Sequence, residues 1–212
     1  MNQSTYGYYD INTDTDGVAG TWSIDELFYI RDLQQRKIYL TANIYQEHID
    51  DVVRHILQIN REDTGIPVED RKPIILYCAS NGGSVDAGFE IIDVILNSVT
   101  PVYTVNFGYQ YSMGLLIGLA GHKRFATPNA KFLLHDGSSI MWDSGAKIQD
   151  QAEFQKRINA RIRQYVIDRT KITGKTYDKN FRREWYMFAD EAKELGFTDY
   201  VVGVDCTIED IV

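Results

Sequence analysis

Only two cysteines, Cys78 and Cys206, occur in 212 residues, too few for the disulfide framework of a small secreted protein. Cys78 lies in an apolar, strand-like run where a free thiol packs as a small hydrophobe, so a reducing cytoplasm is the expected setting. Long hydrophobic runs are missing too. None approaches the length of a bilayer span, and the first residues lack the basic start and apolar core of a signal peptide. A soluble, unexported protein without membrane contact is expected. Cations are in the minority: 22 Lys and Arg stand against 30 Asp and Glu, a formal net charge of −8. Nucleic acid is therefore not an expected partner, because phosphate contacts need clustered cations.

Several familiar motifs are begun and not completed. Asn12-Thr13-Asp14-Thr15-Asp16-Gly17 resembles the start of a calcium loop, but Ser23 stands where the closing Glu should be. Asn81-Gly82-Gly83-Ser84 follows a strand and opens a helix, yet lacks the Lys-Ser/Thr ending of a phosphate loop. Around Ser112, Gln110 replaces the first glycine of the G-x-S-x-G elbow. No metal site and no organic cofactor is indicated.

What is present is an ordinary globular composition, 44% hydrophobic and 25% charged, enough chain for one large domain with its own core. Residues 1–22, rich in Tyr, Thr, Asp and Gly, have no helical or strand period and read as a flexible N-terminal arm. Its Tyr6, Tyr8 and Tyr9 are candidates for docking on another surface of an assembly. Residues 23–212 form the domain. Ser23-Ile24-Asp25-Glu26 has capping-box spacing, and Lys37 to Thr41 reads as a strand. A helix from about Tyr45 to Asn60 follows, with Ile49, Val52, Val53, Ile56 and Leu57 on one face. Pro73 to Cys78 is a nearly continuous apolar strand of the type covered on both faces of a parallel sheet. Val85 to Asn97 is a helix with Phe89, Ile92 and Leu96 in a stripe, Val102 to Asn106 a strand, and Met113 to Ala120 an apolar helix. Phe125 to Asn129 reads as a turn, and Lys131 to His135 as a strand. The pattern is that of stacked βαβ units.

Three features lie at carboxyl ends of strands, where open α/β folds place their sites. The Gly82-Gly83 turn offers backbone N–H groups at a helix N-terminus. Ser112 stands at the opening of an apolar helix, and His135 closes a strand. Taken singly, each has an ordinary explanation: a tight turn, an N-cap, a structural histidine. Together they supply an anion-binding turn, a nucleophile and a base.

In this order, Asn81-Gly82-Gly83-Ser84-Val85, Ser112-Met113-Gly114, the turn Lys123 to Ala130, His135 and Ala189 to Asp199 resemble the Clp peptidase family, the ClpP proteolytic subunit. The resemblance covers about Ile24 to Val204. It implies a ClpP/crotonase-type α/β fold with a projecting handle helix, and serine endopeptidase activity on unfolded polypeptide without metal or cofactor. Ser112 would be the nucleophile, His135 the general base, and the Gly83 and Met113 N–H groups the oxyanion hole. The third group is aspartate in the family; the matching position is Glu184, with Asp178 the nearby alternative. An amphipathic helix over about residues 146–170, with Ile148, Ala152, Ile158, Ile162, Tyr165 and Val166 on its apolar side, would be the handle. Through it two stacked heptameric rings would join, with Arg157, Arg161 and Arg163 available for pairing across the contact. An AAA+ unfoldase would be the partner that feeds substrate.

Three departures from the family pattern stand out. Gln110-Tyr111 replaces small residues before the serine, bulk that would either narrow the substrate site or repack the sheet edge. Asn81 replaces a proline, and Asp136-Gly137 replaces Gln-Pro. Two further readings remain: a catalytically silent subunit of a mixed ring, and crotonase-type acyl-CoA chemistry, which shares the fold and the oxyanion hole.

Overall fold

The computed structural model describes residues 23–137 and 144–212. The tyrosines and the calcium-like stretch of residues 1–22 lie outside the described residues. Order starts with a capping box. The Ser23 hydroxyl accepts from the Glu26 N–H at 3.2 Å, and the Glu26 carboxylate accepts from the Ser23 N–H at 2.7 Å, opening α1 (Ile24–Gln34). Such a cap contributes about 1 kcal/mol to helix stability.

Three successive βαβ steps then build a parallel sheet. β1 (Lys37–Leu40), α2 (Gln46–Glu62), β2 (Ile74–Cys78), α3 (Val85–Asn97) and β3 (Val102–Asn106) follow in order. After them come β4 (Tyr109–Tyr111), α4 (Met113–Ala120), β5 (Lys123–Ala126), β6 (Lys131–Leu134), α5 (Gly145–Arg169), α6 (Gly174–Asn180), β7 (Trp185–Phe188), α7 (Ala189–Leu195) and β8 (Tyr200–Val201). The strands sort into a five-stranded sheet, β1-β2-β3-β5-β8, and a three-stranded sheet, β4-β6-β7. All pairs of the first sheet are parallel. Its centre is dry on both faces, as the apolar run Ile74 to Cys78 requires. Ile74, Leu76 and Cys78 face the helices, and Ile75 and Tyr77 join Val105, Phe125 and Ile211 on the other side.

Local details depart from the one-dimensional pattern. In α2, Val52, Ile56 and Ile59 are buried while Leu57 is 51% exposed, so the inward stripe runs through Ile59. In α3 the buried stripe is Ala87, Gly88, Ile91, Ile92 and Ile95; Phe89 is half-buried and Leu96 exposed. Phe125 and Ala126, read as turn, are strand: each pairs β3 on one side and β8 on the other. The turn is Thr127 to Ala130, closed by an N–H to carbonyl bond of 3.0 Å. Gly108 ends β3, and the chain resumes at once as β4, which pairs with β6.

α5 spans 25 residues, of which Val166 alone is buried. Its C-terminal half is fixed to α4: the Tyr165 hydroxyl donates to the Leu116 carbonyl at 2.9 Å, and Arg169 donates to the Leu119 and Gly121 carbonyls at 2.9 and 2.6 Å. Within the chain the Arg163 guanidinium makes a two-pronged pair with Asp178 at 2.7 and 2.8 Å. Among the described residues no helix is long and apolar enough to cross a membrane.

Candidate active site

The three-stranded sheet assembles the site through its register. β6 runs antiparallel to β7, with Leu133 opposite Tyr186 and Leu134 opposite Trp185. His135 and Glu184 are the residues just beyond this last pair, one after β6 and one before β7. Their side chains meet there, His135 Nδ1 lying 2.9 Å from Glu184 Oε1. With the carboxylate ionised, Nδ1 must carry the proton, leaving Nε2 as the acceptor. The hydrogen bond from His135 holds the Glu184 carboxyl below its usual range against the opposing effect of lost solvent. The His135 charge and the Tyr186 hydroxyl add to the lowering. The backbone after His135 is pinned as the Asp136 N–H donates to the Phe181 carbonyl at 2.8 Å.

β4 runs parallel to β6 with Tyr111 beside Leu133, and the Ser112 N–H continues that ladder to the Leu133 carbonyl at 3.0 Å. Ser112 has φ 53 and ψ −123, a backbone state costing a non-glycine residue about 1–3 kcal/mol. Its hydroxyl makes no capping bond to α4. The N-cap explanation for this serine therefore fails, since a capping serine sits in extended backbone and uses its oxygen on the helix. Strain is stored at a residue whose side chain is left available.

The glycine turn is delivered by the end of β2. Ser80 pairs with β4, its N–H donating to the Tyr109 carbonyl at 3.1 Å and its carbonyl accepting from Tyr111 at 2.9 Å. Gly82 (φ 93) and Gly83 (φ 149) then turn the chain over the serine. A Cβ on Gly82 would lie 2.8 Å from the Ser112 Cβ and 2.9 Å from the Met113 nitrogen, so only glycine permits this approach. Ile44 brackets the turn, donating to the Gly82 carbonyl at 2.9 Å and accepting from the Ser84 N–H at 2.8 Å. The Gly83 and Met113 N–H groups bond to no other described residue. Met113, first in its helix, has no intrahelical acceptor for its N–H.

Gly83, Ser112, Met113 and His135 line one cleft of about 290 Å³, whose far wall includes Gln155, Asn159 and Ile162 of α5. The Ser112 hydroxyl and His135 share this cleft without a hydrogen bond between them, a spacing common in unliganded sites that tighten around substrate. A hydroxyl, an imidazole oriented by a carboxylate, and two idle N–H groups can together carry out acyl transfer. The Clp protease family profile matches residues 25–205. The chain belongs to the Clp protease family.

Similar curated proteins agree. The chain is 33% identical over 177 residues to ATP-dependent Clp protease proteolytic subunit 1 of Bacillus cereus, covering 82% of this chain and 88% of that protein. It is 28% identical over 186 residues to ATP-dependent Clp protease proteolytic subunit 2 of Treponema pallidum, covering 87% and 90%.

Within this Clp protease-family chain the two candidate carboxylates are separated by their partners: Glu184 lies on His135, and Asp178 is held by Arg163. The bulk before Ser112 turns away from the cleft. Gln110 is buried, its amide donating to the Cys78 carbonyl at 3.4 Å and lying against Gly118, where a Cβ would collide with it. Tyr111 sets its ring edge-on to Tyr186, 5.8 Å apart at 88°. Neither lines the cleft, so the sheet edge is repacked and the site is not narrowed. Asn81 in place of proline ties its amide to Asn43 at 3.3 Å. Two contributions were not read from the sequence. Gln155 and Asn159 stand one helical turn apart on the helix assigned as the handle, and Tyr186 lies in β7 two residues after Glu184, which precedes that strand. The i,i+4 and i,i+2 spacings were visible, but nothing in one dimension said which sites they faced.

Proposed function

We propose that this chain is a serine endopeptidase of the ClpP type that cleaves unfolded polypeptide through an acyl-enzyme. One observation carries the reading: an imidazole oriented by Glu184 at 2.9 Å shares a cleft with a strained serine. Ser112 Oγ attacks the scissile carbonyl while His135 Nε2 takes its proton. Oxygen of the tetrahedral intermediate accepts from the Gly83 and Met113 N–H groups, donors already in place as charge develops. Glu184 stabilises the imidazolium that forms and holds its tautomer. His135 then gives its proton to the leaving amine, and water brought in by the same imidazole releases the acyl group. Acyl-CoA chemistry on this fold has no need of the serine or of the imidazole-carboxylate pair.

The same proposal includes a self-assembled double heptameric ring in the cytoplasm, fed by an AAA+ unfoldase. The relatives' names, which call them subunits of ATP-dependent proteases, support this. So does α5, whose N-terminal half buries nothing and leaves Phe154 56% exposed, an apolar surface that self-association would cover. On the five-stranded sheet Tyr39, Tyr77 and Phe107 stack at 4.6 and 5.3 Å with Tyr39 and Phe107 exposed, a second surface suited to a protein partner. Both cysteines are free, in keeping with a reducing compartment.

A fluorophosphonate probe tests the chemistry. Wild type should be labelled and Ser112→Ala should not; an assembled wild-type particle that takes no label would identify a silent subunit instead. Native mass measurement tests the rings, and a monomer at high concentration would count against them.

A further inference from the structure

We propose that the Ser112 cleft selects glutamine as the residue whose carbonyl is attacked, the Gln155–Asn159 pair on α5 hydrogen-bonding its side-chain amide. The inference rests on the serine-peptidase reading and names the side chain that this site prefers.

A scissile carbonyl seated on Ser112, its oxygen toward the Gly83 and Met113 N–H groups, delivers the adjoining side chain into the same cleft of about 290 Å³. The walls then decide which side chain is accepted. Met113 and Leu134 adjoin the serine and the histidine in the chain, Leu116 lies one turn along α4, and all three are buried. Ile162 and Phe181 are partly buried beside this group. An aliphatic stem is favoured there, because its methylenes leave water. The far wall is polar. Gln155 and Asn159 stand one turn apart, and Gln155 Nε2 donates to Asn159 Oδ1 at 3.0 Å. That bond uses one donor and one acceptor of the pair. Among the described residues the Asn159 amide N–H groups and the Gln155 Oε1 are left over, and exchanging the ends of both amides leaves the same complement of donor and acceptor. A substrate amide matches it by donating once and accepting once. The cleft's third amide, Asn81, is already tied to Asn43 at 3.3 Å. No Asp, Glu, Lys or Arg is among the described residues that line the cleft, so a charged side chain would lose water there without gaining a counter-ion. A wholly apolar one would cover the amide pair and leave it unpaired. Glutamine joins the apolar stem to the amide end, with one methylene more than asparagine for crossing from the serine to α5.

Four peptides that differ only at this residue, Gln, Met, Glu or Lys, test the inference, since they keep a similar stem and change the end group. On the assembled wild-type particle kcat/KM for Gln should exceed that for Met about 3- to 10-fold, the worth of a neutral hydrogen bond. It should exceed those for Glu and Lys about 10-fold or more. Asn159→Leu and Gln155→Leu each remove half of the pair, and in each the Gln-to-Met ratio should fall to about 1 or below. Met equal to or better than Gln in wild type, or a Gln preference that survives both substitutions, would overturn the proposal. Where the variants do not assemble, the wild-type series decides alone. Binding of product peptides ending in Gln or in Met to the Ser112→Ala particle gives a readout free of turnover. Tighter binding of the Gln product, lost in Ser112→Ala with Asn159→Leu, sustains the assignment, and equal affinities overturn it. Peptide hydrolysis that survives Ser112→Ala would fail the peptidase reading alone, and the binding pair would still decide what the cleft accepts.

Discussion

The five-stranded sheet is buried through its centre, whereas the three-stranded sheet is buried on β6 and open on β7. In the first, every residue of β2 is buried, and Leu76, with a helix layer on one side of its strand, is wholly out of solvent. In the second, β7 buries only Met187 and leaves Tyr186 and Phe188 exposed by 55% and 53%. The first sheet removes apolar area from water at about 25 cal/mol per Å² and forms the scaffold. The second contributes less burial and sets a register, bringing Ser112, His135 and Glu184, far apart in sequence, to one end of three strands. The proposed chemistry is thus placed at an exposed edge of a buried scaffold.

This division makes its sharpest prediction at the serine. Ser112→Ala should lower kcat at least about 10⁴-fold without lowering the melting temperature, since relieving a strained position does not weaken the core; an appreciable loss of Tm would mean that the small sheet also stabilises the fold. Next in size, Glu184→Ala should cost about 10³-fold in kcat. Asp178→Ala, at an exposed pair with Arg163, should leave kcat unchanged and stability within about 1 kcal/mol. Equal losses from the two would undo the distinction between them.

On the scaffold side the expected effects are on stability alone. Asp63 is 1% exposed, and its carboxyl is held below the usual range first by the hydrogen bond from Arg36, with the Thr100 hydroxyl and the Arg36 and Arg71 charges assisting. A depressed carboxyl contributes stability that is complete above its unfolded pKa and is lost as pH falls through the folded value. Asp63→Asn should therefore destabilise at neutral pH by about 3 kcal/mol and flatten the fall of Tm between about pH 5 and 3. A parallel Tm–pH curve would remove Asp63 from the acid response. Gly118→Ala, meeting the buried Gln110 amide, should cost about 1–3 kcal/mol by overpacking, and Gln110→Ala should restore much of it. Failure of that rescue would show that the contact between β4 and α4 is not what keeps position 118 small.

The strands and helices of the βαβ steps were legible because each has a period of its own: Ile74 to Cys78 as an unbroken apolar run, Met113 to Ala120 as a wholly buried helix. Faces were read less well. Leu57 and Leu96 were assigned inward, and both proved exposed because two neighbouring elements, and not the apolar count of one helix, decide which stripe is covered. The short strands β4, β5, β7 and β8 were not read as strands at all. Two to four residues carry too little pattern, and their pairing partners lie tens of residues away. At the site, Ser112, His135, Gly83 and Met113 could be named from their order along the chain. Between Glu184 and Asp178 the family position favours Glu184, and the structure puts that side chain on His135 at 2.9 Å while Asp178 pairs with Arg163.

The sequence by itself determined which residue types are present at strand ends, a serine, a histidine and paired glycines, because strand termini are written in local hydrophobic pattern and turn chemistry. Tertiary structure alone decided that Ser112 sits at positive φ with its hydroxyl off the helix, that Gln110 turns into the core and Tyr111 toward Tyr186, and that Glu184 meets His135. Each of these depends on contacts between segments distant in the chain, whose energies no local pattern records.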